Sequence, residues 1–247
     1  MRVSLPGYAR LTSPRARGIT LESCRRALES ILANETIYDF AARQPEARKF
    51  TGRATVYAID LPEGCGSAVV RRSMRGGWLS RLKTDLFLPP TRALRELVTS
   101  LRLRSVGVAT PEVIAFAVYP AGSIFRRSDV ITREIEGKDL ASVLADDHSP
   151  ERRRESLEAA AVLIAALSHA GGHHSDLNVR NILVSGDTAY ILDVDRIRFH
   201  VPGDPIVLRA NIARLKTSLR KRRDLHELRI EESEIIALGA RIEELAK

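Results

Sequence analysis

Apolar and polar positions alternate in several short segments of the first half of the chain. Residues 55–61 (TVYAIDL) and 67–71 (SAVVR) lie on either side of the turn-forming sequence PEGCG, and together they predict a β-hairpin. Residues 113–119 and 129–134 have the composition of two further strands. The first half of the chain is therefore predicted to contain a small β-sheet.

Helical spacing of apolar residues also occurs in this half. Residues 20–33 show a weak pattern of this kind. A stronger one begins after Thr91, a suitable N-cap, and continues to about Ser105, with Gly107 beyond its end. Its predicted apolar face contains Leu94, Leu97, Val98 and Leu101. We expect this second helix to be inserted into the order of the strands.

The second half of the chain favours helices. Ser149 and Pro150 form an N-cap followed by proline at the first helical position, and the helix they begin is predicted to end before Gly171-Gly172. Helical periodicity returns in residues 206–224 and 231–246. Two short apolar runs lie between these helices, at 181–185 and 189–193.

These patterns predict an α+β fold with two lobes. An N-terminal extension and a β-rich lobe are expected in residues 1–135, and a helical lobe in residues 136–247, joined near residues 134–138. A chain of 247 residues, 44% of them hydrophobic and 28% charged, has the composition of an ordinary globular protein. Cys24 and Cys65 are too few for a zinc cluster or a disulfide framework.

The charge of the chain indicates an anionic partner. Lys and Arg number 39 and Asp and Glu 31, which gives a net charge of +8, and Arg greatly outnumbers Lys. A nucleic acid, an anionic membrane surface or a phosphorylated substrate would each fit this charge. Base composition of the genome is an equally good explanation of the preference for Arg over Lys, but it does not explain the net charge.

No targeting or membrane-spanning segment is predicted. Residues 1–18 carry four arginines and no apolar stretch typical of a signal peptide. The longest apolar run, residues 159–167, is far shorter than the roughly 20 residues that a spanning helix needs. We therefore expect a cytoplasmic protein or one bound peripherally to a membrane.

The sequence His174-Ser175-Asp176-Leu177-Asn178-Val179-Arg180-Asn181 carries the strongest chemical signal. It resembles the HxDxxxxN catalytic loop of the protein-kinase fold. In that comparison Asp176 accepts the proton of an incoming hydroxyl group, and the amide oxygen of Asn181 coordinates Mg²⁺. His174 corresponds to a residue that packs and orients the loop.

Asp193 follows an apolar run a short distance further on and resembles the kinase aspartate that holds Mg²⁺ on the nucleotide phosphates. Asp195 is either a second metal ligand or a structural acceptor. Each of these motifs alone is common in inert loops. Their order and interval favour the catalytic interpretation, and hard oxygen ligands favour Mg²⁺ over zinc.

The nucleotide is expected to bind residues of the first half. Gly52 lies where a glycine-rich loop belongs, although a plain turn explains this single glycine equally well. Arg71 ends the strand that carries a lysine in kinases, and an arginine there keeps the positive charge. Glu96 is its candidate partner, the alternative being a solvated helix face. Residues 132–137 would form the hinge beside the adenine.

Four segments carry a closer resemblance: Arg75-Gly76-Gly77, Thr91–Glu96, Asp176–Leu183 and Leu192–Arg196. Together they resemble the lipopolysaccharide kinase family, and most closely the 3-deoxy-D-manno-octulosonic acid (Kdo) kinases, over residues 50–225. Arg71 in place of lysine, Ala54 in place of a loop glycine, and Ser73-Met74 depart from the family's pattern.

The resemblance implies a protein-kinase-like fold and the cofactors ATP and Mg²⁺. It also implies transfer to a Kdo hydroxyl of the lipid A–inner core, by a peripheral protein on the cytoplasmic face of the inner membrane. The metal ligands would be Asn181, Asp193 and Asp195. The expected partners are Kdo–lipid A and the anionic membrane surface. We expect no nucleic acid, since aromatic residues are only 5% of the chain, and no obligate protein partner.

Two other classes of function compete with this interpretation. One is another small phosphotransferase of the same fold, such as a core heptose kinase, an aminoglycoside-type kinase or an atypical Ser/Thr kinase. The other is a non-catalytic protein that binds anions or nucleic acid. Asp176, Asn181 and Asp193 argue against the non-catalytic class.

The segment from Trp78 to Phe87 has two interpretations. Basic residues between positions 71 and 83 surround Trp78, Leu79, Leu82, Leu86 and Phe87, and positions 78, 79, 82 and 86 share a helical face. Such a segment would suit an anionic membrane surface. Packing of the same apolar side chains into the first lobe is the equally weighted alternative.

Overall fold

The computed structural model describes residues 5–51, 55–74, 85–89, 91–146 and 149–247. The chain divides into two compact units. The first contains the residues up to Val98 together with Glu112–Glu134, and the second contains Thr99–Pro111 and Ile135–Lys247. Residues 99–111 therefore group with the second unit, although they precede the last two strands of the first.

An antiparallel sheet forms most of the first unit. Its strands, in spatial order β1-β2-β6-β7-β5-β4-β3, are β1 Tyr8–Thr12, β2 Arg17–Leu21, β3 Arg48–Thr51, β4 Thr55–Leu61, β5 Gly66–Arg72, β6 Val113–Ala121 and β7 Phe125–Arg133. The predicted hairpin is confirmed as β4 and β5, whose register runs from Val56 opposite Arg71 to Leu61 opposite Gly66. Gly64 and Gly66 both have positive φ, a conformation that explains why glycine recurs in this turn.

Among the described residues, three α-helices begin in this unit, whereas the sequence patterns indicated a weak helix at 20–33 and one helix inserted among the strands. They are α1 Arg25–Asn34, α2 Ile37–Arg43 and α3 Ala93–Ser105. The weak helix predicted at 20–33 begins only at Arg25, because Thr20 and Leu21 belong to β2. Thr20 is fully buried between the neighbouring strands β1 and β6, and this tertiary environment overrides the local helical pattern.

Helix α3 lies where it was predicted but starts two residues after Thr91. Its buried residues near the start are Ala93, Glu96 and Leu97, whereas Leu94 and Val98 are each 42% exposed. The predicted apolar face is therefore only partly buried. The buried face contains the carboxyl group of Glu96 instead.

The core of the first unit joins α1 to the sheet. Leu28 and Leu32 of α1 are fully buried with Ile114 and Ile131 of the two central strands. Both cysteines lie in the same core. Burial, and then the neighbouring Cys24 thiol, raise the pKa of Cys65 to about 12, so this thiol stays protonated and unreactive at neutral pH.

Phe87 of the segment from Trp78 to Phe87, and Arg72 among the basic residues before it, both contact residues of the first unit. Phe87 is buried, and its backbone exchanges two hydrogen bonds of 2.8 Å with Arg126, which favours core packing at this position. Arg72 lies over the ring of Tyr38 and forms an ion pair of 3.2 Å with Asp129, which is fully buried. The alternative in which these side chains belong to the first lobe is therefore favoured for Arg72, whose guanidinium pairs with a buried carboxylate. Residues 75–84, including Trp78, lie outside the described residues.

The second unit is mostly helical. Its elements are β8 Lys138–Asp139, α4 Leu140–Ala145, α5 Pro150–His169, β9 Gly172–His174, β10 Ile182–Ser185, β11 Thr188–Ile191, β12 Ile197–Phe199, α6 Pro205–Asp224 and α7 Glu232–Leu245. The short strands form two small sheets, β11-β10-β8 and β12-β9. An antiparallel sheet in one unit and a helical second unit confirm the predicted α+β class.

The start and end of α5 follow the sequence signals. The side chain of Ser149 accepts a hydrogen bond from the backbone N–H of Arg152, and Pro150 occupies the first helical turn. After the last helical residue, Gly171 has φ +76°, and an added Cβ would lie 2.5 Å from the carbonyl oxygen of His200. Only glycine allows the backbone at position 171 to pass so close to His200, and the chain then enters β9. No described helix combines the length and the hydropathy needed to cross a membrane.

Candidate functional site

A network of short-range hydrogen bonds fixes the Asp176 loop after β9. The carbonyl oxygen of Asp176 accepts bonds of 3.0 Å from the side-chain amides of both Asn178 and Asn181. The backbone N–H of Leu177 donates to the carbonyl of His174 at 3.1 Å. Because backbone groups hold the loop, the carboxylate of Asp176 is not needed for that purpose, and its side chain is 45% exposed.

His174 supports this loop from inside the core. The ring is fully buried, its Nδ1 accepts a 3.2 Å bond from the N–H of Asp176, and its Nε2 lies 3.4 Å from the carbonyl oxygen of Leu192. These partners require the tautomer that carries the proton on Nε2. Burial lowers the pKa of His174, although the carbonyl of Leu192 opposes the shift. A neutral, buried ring with both nitrogens engaged has the geometry of a positioning residue.

The same network connects the loop to Asp193. The carbonyl of Asn181 accepts a 2.8 Å bond from the N–H of Leu192, and β10 pairs with β11 so that Ile182 lies opposite Ile191. Asp193 follows directly and is exposed, with the left-handed backbone angles φ 58° and ψ 42°. The structure therefore brings the loops of Asp176, Asn181 and Asp193 together, as their order along the chain predicts.

The chemistry of these side chains fits a magnesium ion. The amide nitrogen of Asn181 donates to the carbonyl of Asp176, so the amide oxygen, like the Asp193 carboxylate, is of the hard oxygen type that Mg²⁺ prefers. Among the described residues, no three or more His, Cys, Asp or Glu side chains are grouped as a metal cage. Mg²⁺ does not need such a cage, since it is commonly held by one or two carboxylates, substrate phosphates and water.

Asp195 lies in a different environment. Its side chain is only 12% exposed, with one carboxylate oxygen 4.0 Å from Nε of Arg196. A mostly buried carboxylate beside a guanidinium has the environment of a structural acceptor. The assignment of Asp195 as a second metal ligand stays a prediction.

Helix α6 contributes three polar contacts that the sequence did not reveal. The buried Asn211 accepts a 3.1 Å bond from the N–H of His174, Arg214 lies 3.2 Å from Oδ1 of Asp176, and Ser218 accepts from the N–H of Val179 at 3.2 Å. The spacing of these residues places them on one face of the helix. That spacing is visible in the sequence, but nothing in it says which loop packs against the helix.

Arg71 and Glu96 form an ion pair in the first unit, as predicted. The guanidinium of Arg71 at the end of β5 contacts Oε1 of Glu96, whose side chain is 7% exposed. Arg71 lies opposite Val56 of β4 and Val130 of β7, so the neighbouring strands fix its backbone. Glu96 is therefore not part of a solvated helix face.

The remaining predicted residues are placed as follows. Of the predicted hinge, Thr132 and Arg133 end β7, and residues 134–137 have irregular backbone. Gly52 and the Arg75-Gly76-Gly77 block lie outside the described residues. Arg71 and Glu96 belong to the first unit, and Asp176, Asn181, Asp193 and Asp195 belong to the second.

Comparison with known proteins shows what this chain is similar to. A 3-deoxy-D-manno-octulosonic acid kinase of Vibrio parahaemolyticus serotype O3:K6 is 30% identical over 184 residues, which cover 71% of this chain and 74% of the relative. A kinase of the same description from Stenotrophomonas maltophilia (strain K279a) is 32% identical over 177 residues, covering 70% and 68% of the two chains.

Among solved structures, WaaP in complex with acyl carrier protein has a TM-score of 0.47 and 20% identity, and the match covers 88% of this chain and 96% of that chain. The model of the lipopolysaccharide kinase (Kdo/WaaP) family matches residues 43–235. The resemblance inferred from the four sequence segments is confirmed by this match, and with it the prediction of a phosphotransferase that acts on an alcohol group. The chain belongs to the lipopolysaccharide kinase (Kdo/WaaP) family.

Proposed function

We propose that the protein transfers the γ-phosphoryl group of ATP to a hydroxyl group of Kdo in the lipid A–inner core. One observation carries this proposal: the carboxylate of Asp176 is half-exposed on a loop that backbone and amide groups hold in place. A carboxylate so fixed can accept a proton without disturbing its own support. The two Kdo kinases named above support Kdo as the acceptor.

Asp176 is the proposed catalytic base. Its carboxylate accepts the proton of the Kdo hydroxyl while the hydroxyl oxygen forms a bond to the γ-phosphorus. The bond between that phosphorus and the β–γ bridging oxygen breaks, and ADP leaves with the electron pair. Positioning and electrostatic stabilisation account for most of the rate of such a transfer.

Asn181 and Asp193 are the proposed ligands of Mg²⁺, with Asp195 as a further candidate. When bound, the ion neutralises charge on the β- and γ-phosphate oxygens. Arg71 is the proposed phosphate contact, held by Glu96, and a guanidinium forms the paired hydrogen bonds that phosphate oxygens accept. Gly52 remains the proposed position of the loop that covers the nucleotide.

We further propose that the protein works peripherally at the cytoplasmic face of the inner membrane. Its acceptor is anchored there by lipid A, and the net charge of +8 suits an anionic surface. Phe87 and Arg72 do not contribute to such binding, because both are engaged inside the first unit. The basic and apolar residues between positions 75 and 84 are the proposed contact.

An acceptor panel tests this function. The purified protein is incubated with labelled ATP and Mg²⁺ and with Kdo–lipid A, heptosylated core, an aminoglycoside or a generic protein. We expect label only on Kdo–lipid A, none with excess chelator, and about a hundredfold less, or lower still, with Asp176→Asn. Transfer to heptose or protein with none to Kdo would show that the acceptor is wrong.

A further inference from the structure

A group of basic side chains in the second unit includes Arg214, which contacts Asp176. Strands β9 and β12 pair so that Arg198 lies opposite His173, and His174 lies opposite Ile197. The rings of His173 and His200 are 5.8 Å apart between centroids. Arg214 of α6 approaches the same region and contacts Oδ1 of Asp176 at 3.2 Å.

These groups act on each other electrostatically. Burial lowers the pKa of His173, and the positive charges of His200, Arg198 and Arg214 lower it further. Within the described part of the chain, Arg198 has no carboxylate partner within ion-pair distance, and Arg214 has only Asp176. The charge of Arg198 is therefore uncompensated among these residues, and such a charge creates a positive potential that attracts an anion.

We propose that Arg198 and Arg214, with His173 and His200 beside them, form a subsite for the carboxylate of an acidic sugar acceptor. The identity of that sugar rests on the proposed function. A sugar acid carries its carboxylate on the same small molecule as the hydroxyl that must reach Asp176. An arginine fork next to the base therefore binds the acid group while the hydroxyl is presented to the base.

Arg214 connects the subsite to the chemistry. One of its terminal nitrogens donates to Oδ1 of Asp176. The side chain of Arg214 is 46% exposed, so the other N–H groups of its guanidinium can reach a second acceptor. A ligand held there lies next to the catalytic carboxylate. Arg198 is the cleaner residue for testing, because its replacement leaves the contact between Arg214 and Asp176 in place.

The kinetic test compares Kdo–lipid A with the same acceptor whose Kdo carboxyl is a methyl ester. We expect the wild-type protein to prefer the acid by about tenfold or more in kcat/KM, the effect of a hydrogen bond to a charged group. Arg198→Gln should reduce this preference to about twofold or less and leave the KM for ATP unchanged. Arg209→Gln, an exposed arginine about 140° around α6 from Arg214, is the matched control and should keep the preference.

A second measurement does not depend on transfer. Free Kdo, which carries no phosphate, is added to the protein while the NMR signals of the His173 and His200 rings are followed. We expect shifts with the acid in wild type, weaker shifts in Arg198→Gln, and none with the methyl ester. Equal NMR shifts with the acid and the ester would overturn the subsite. So would an Arg198→Gln variant that keeps the preference for the acid but binds ATP less tightly. Acid-specific shifts without transfer to Kdo–lipid A would instead reject the proposed function and keep the subsite.

Discussion

The side-chain amide nitrogen of Asn181 donates a 3.0 Å hydrogen bond to the backbone carbonyl of Asp176, and the backbone carbonyl of Asn181 accepts a 2.8 Å bond from the N–H of Leu192, the residue before Asp193. One residue thus connects the proposed base to the proposed metal strand. Its amide nitrogen holds the loop, and its amide oxygen is left for a ligand. These two roles can be separated by substitution.

Asn181→Asp keeps an oxygen ligand and removes the nitrogen donor, whereas Asn181→Ala removes both. We expect the Asp variant to retain affinity for Mg²⁺–ATP but to lose about tenfold in kcat, because the Asp176 loop loses a hydrogen bond. The Ala variant should lose affinity as well. Isothermal titration with ATP and Mg²⁺, and steady-state kinetics, measure the two effects. Equal affinity in the two variants would mean that the oxygen is not a ligand.

Asp176→Asn tests the base directly. The substituted amide can still accept the bond from Arg214 through its oxygen, but it cannot accept a proton. We expect kcat to fall by about 10² to 10⁴, with the affinity for ATP and the melting temperature unchanged. Asp187→Asn, at an exposed position between β10 and β11, is the matched control. Full activity in Asp176→Asn would remove the base from the mechanism.

The positive φ of Asp193 determines which substitution tests the metal ligand. Alanine at φ 58° would strain the backbone, and lost binding could then follow from a distorted loop. Asparagine tolerates this conformation and removes only the charge. We expect Asp193→Asn to weaken Mg²⁺-dependent ATP binding by about tenfold or more and to leave the melting temperature within a degree or two. Unchanged Mg²⁺ dependence of nucleotide binding would show that the ion lies elsewhere.

The Arg71–Glu96 pair gives a prediction about both stability and nucleotide binding. Arg71→Met removes an ion-pair partner of a buried carboxylate, and we expect a loss of about 1–3 kcal/mol in the free energy of unfolding. Adding Glu96→Gln should recover part of the lost free energy of unfolding. It should recover none of the ATP affinity, because the phosphate contact is still missing. Urea unfolding and ATP titration measure the two quantities.

Arg10→Met, in an exposed part of β1, controls for the loss of one positive charge. If the double variant loses as much free energy of unfolding as Arg71→Met and Glu96→Gln lose together, or more, the pair does not stabilise the first unit. If Arg71→Met binds ATP normally, Arg71 is a structural residue, and another cation must contact the phosphates.

The sequence predicted those elements whose residue pattern is local, that is, contained within the element and its flanking turns. The hairpin β4–β5 followed from alternation around a glycine turn, and α5 followed from Ser149, Pro150 and the glycines after it. Asp176, Asn181 and Asp193 were identified because their order and interval reflect a chemistry that needs a base and two oxygen ligands of a metal ion on neighbouring loops.

Tertiary contacts decided the rest. Thr20 and Leu21 follow the sheet because β2 lies between two partners, and Arg72 turns inward because Asp129 is buried with no exposure to solvent. Asn211, Arg214 and Ser218 support the Asp176 loop from a helix that lies some thirty residues further along the chain. No local pattern links a polar stripe on a helix to a distant loop.

The buried ring of His174 predicts a dependence of stability on pH. Burial lowers its pKa in the folded protein below the value near 6.5 that it has when unfolded. Between these two values the unfolded chain binds the extra proton, so stability falls as the pH drops below about 6.5. Each fully unmatched proton contributes about 1.4 kcal/mol per pH unit. We expect the free energy of unfolding, measured in urea from pH 7.5 to 5, to decrease over the lower part of this range.

His174→Gln should flatten this slope by the contribution of one proton, while its stability at pH 7.5 falls because the bonds to Asp176 and Leu192 are weakened. His226→Gln, at an exposed position, should reproduce the wild-type slope. The carboxylates of Asp193 and Asp176 raise the pKa of His174, but both are present in the two proteins, so their own contribution cancels in the difference. A wild-type slope retained in His174→Gln would mean that the ring binds its proton equally well in the folded and unfolded states, so that burial does not lower its pKa.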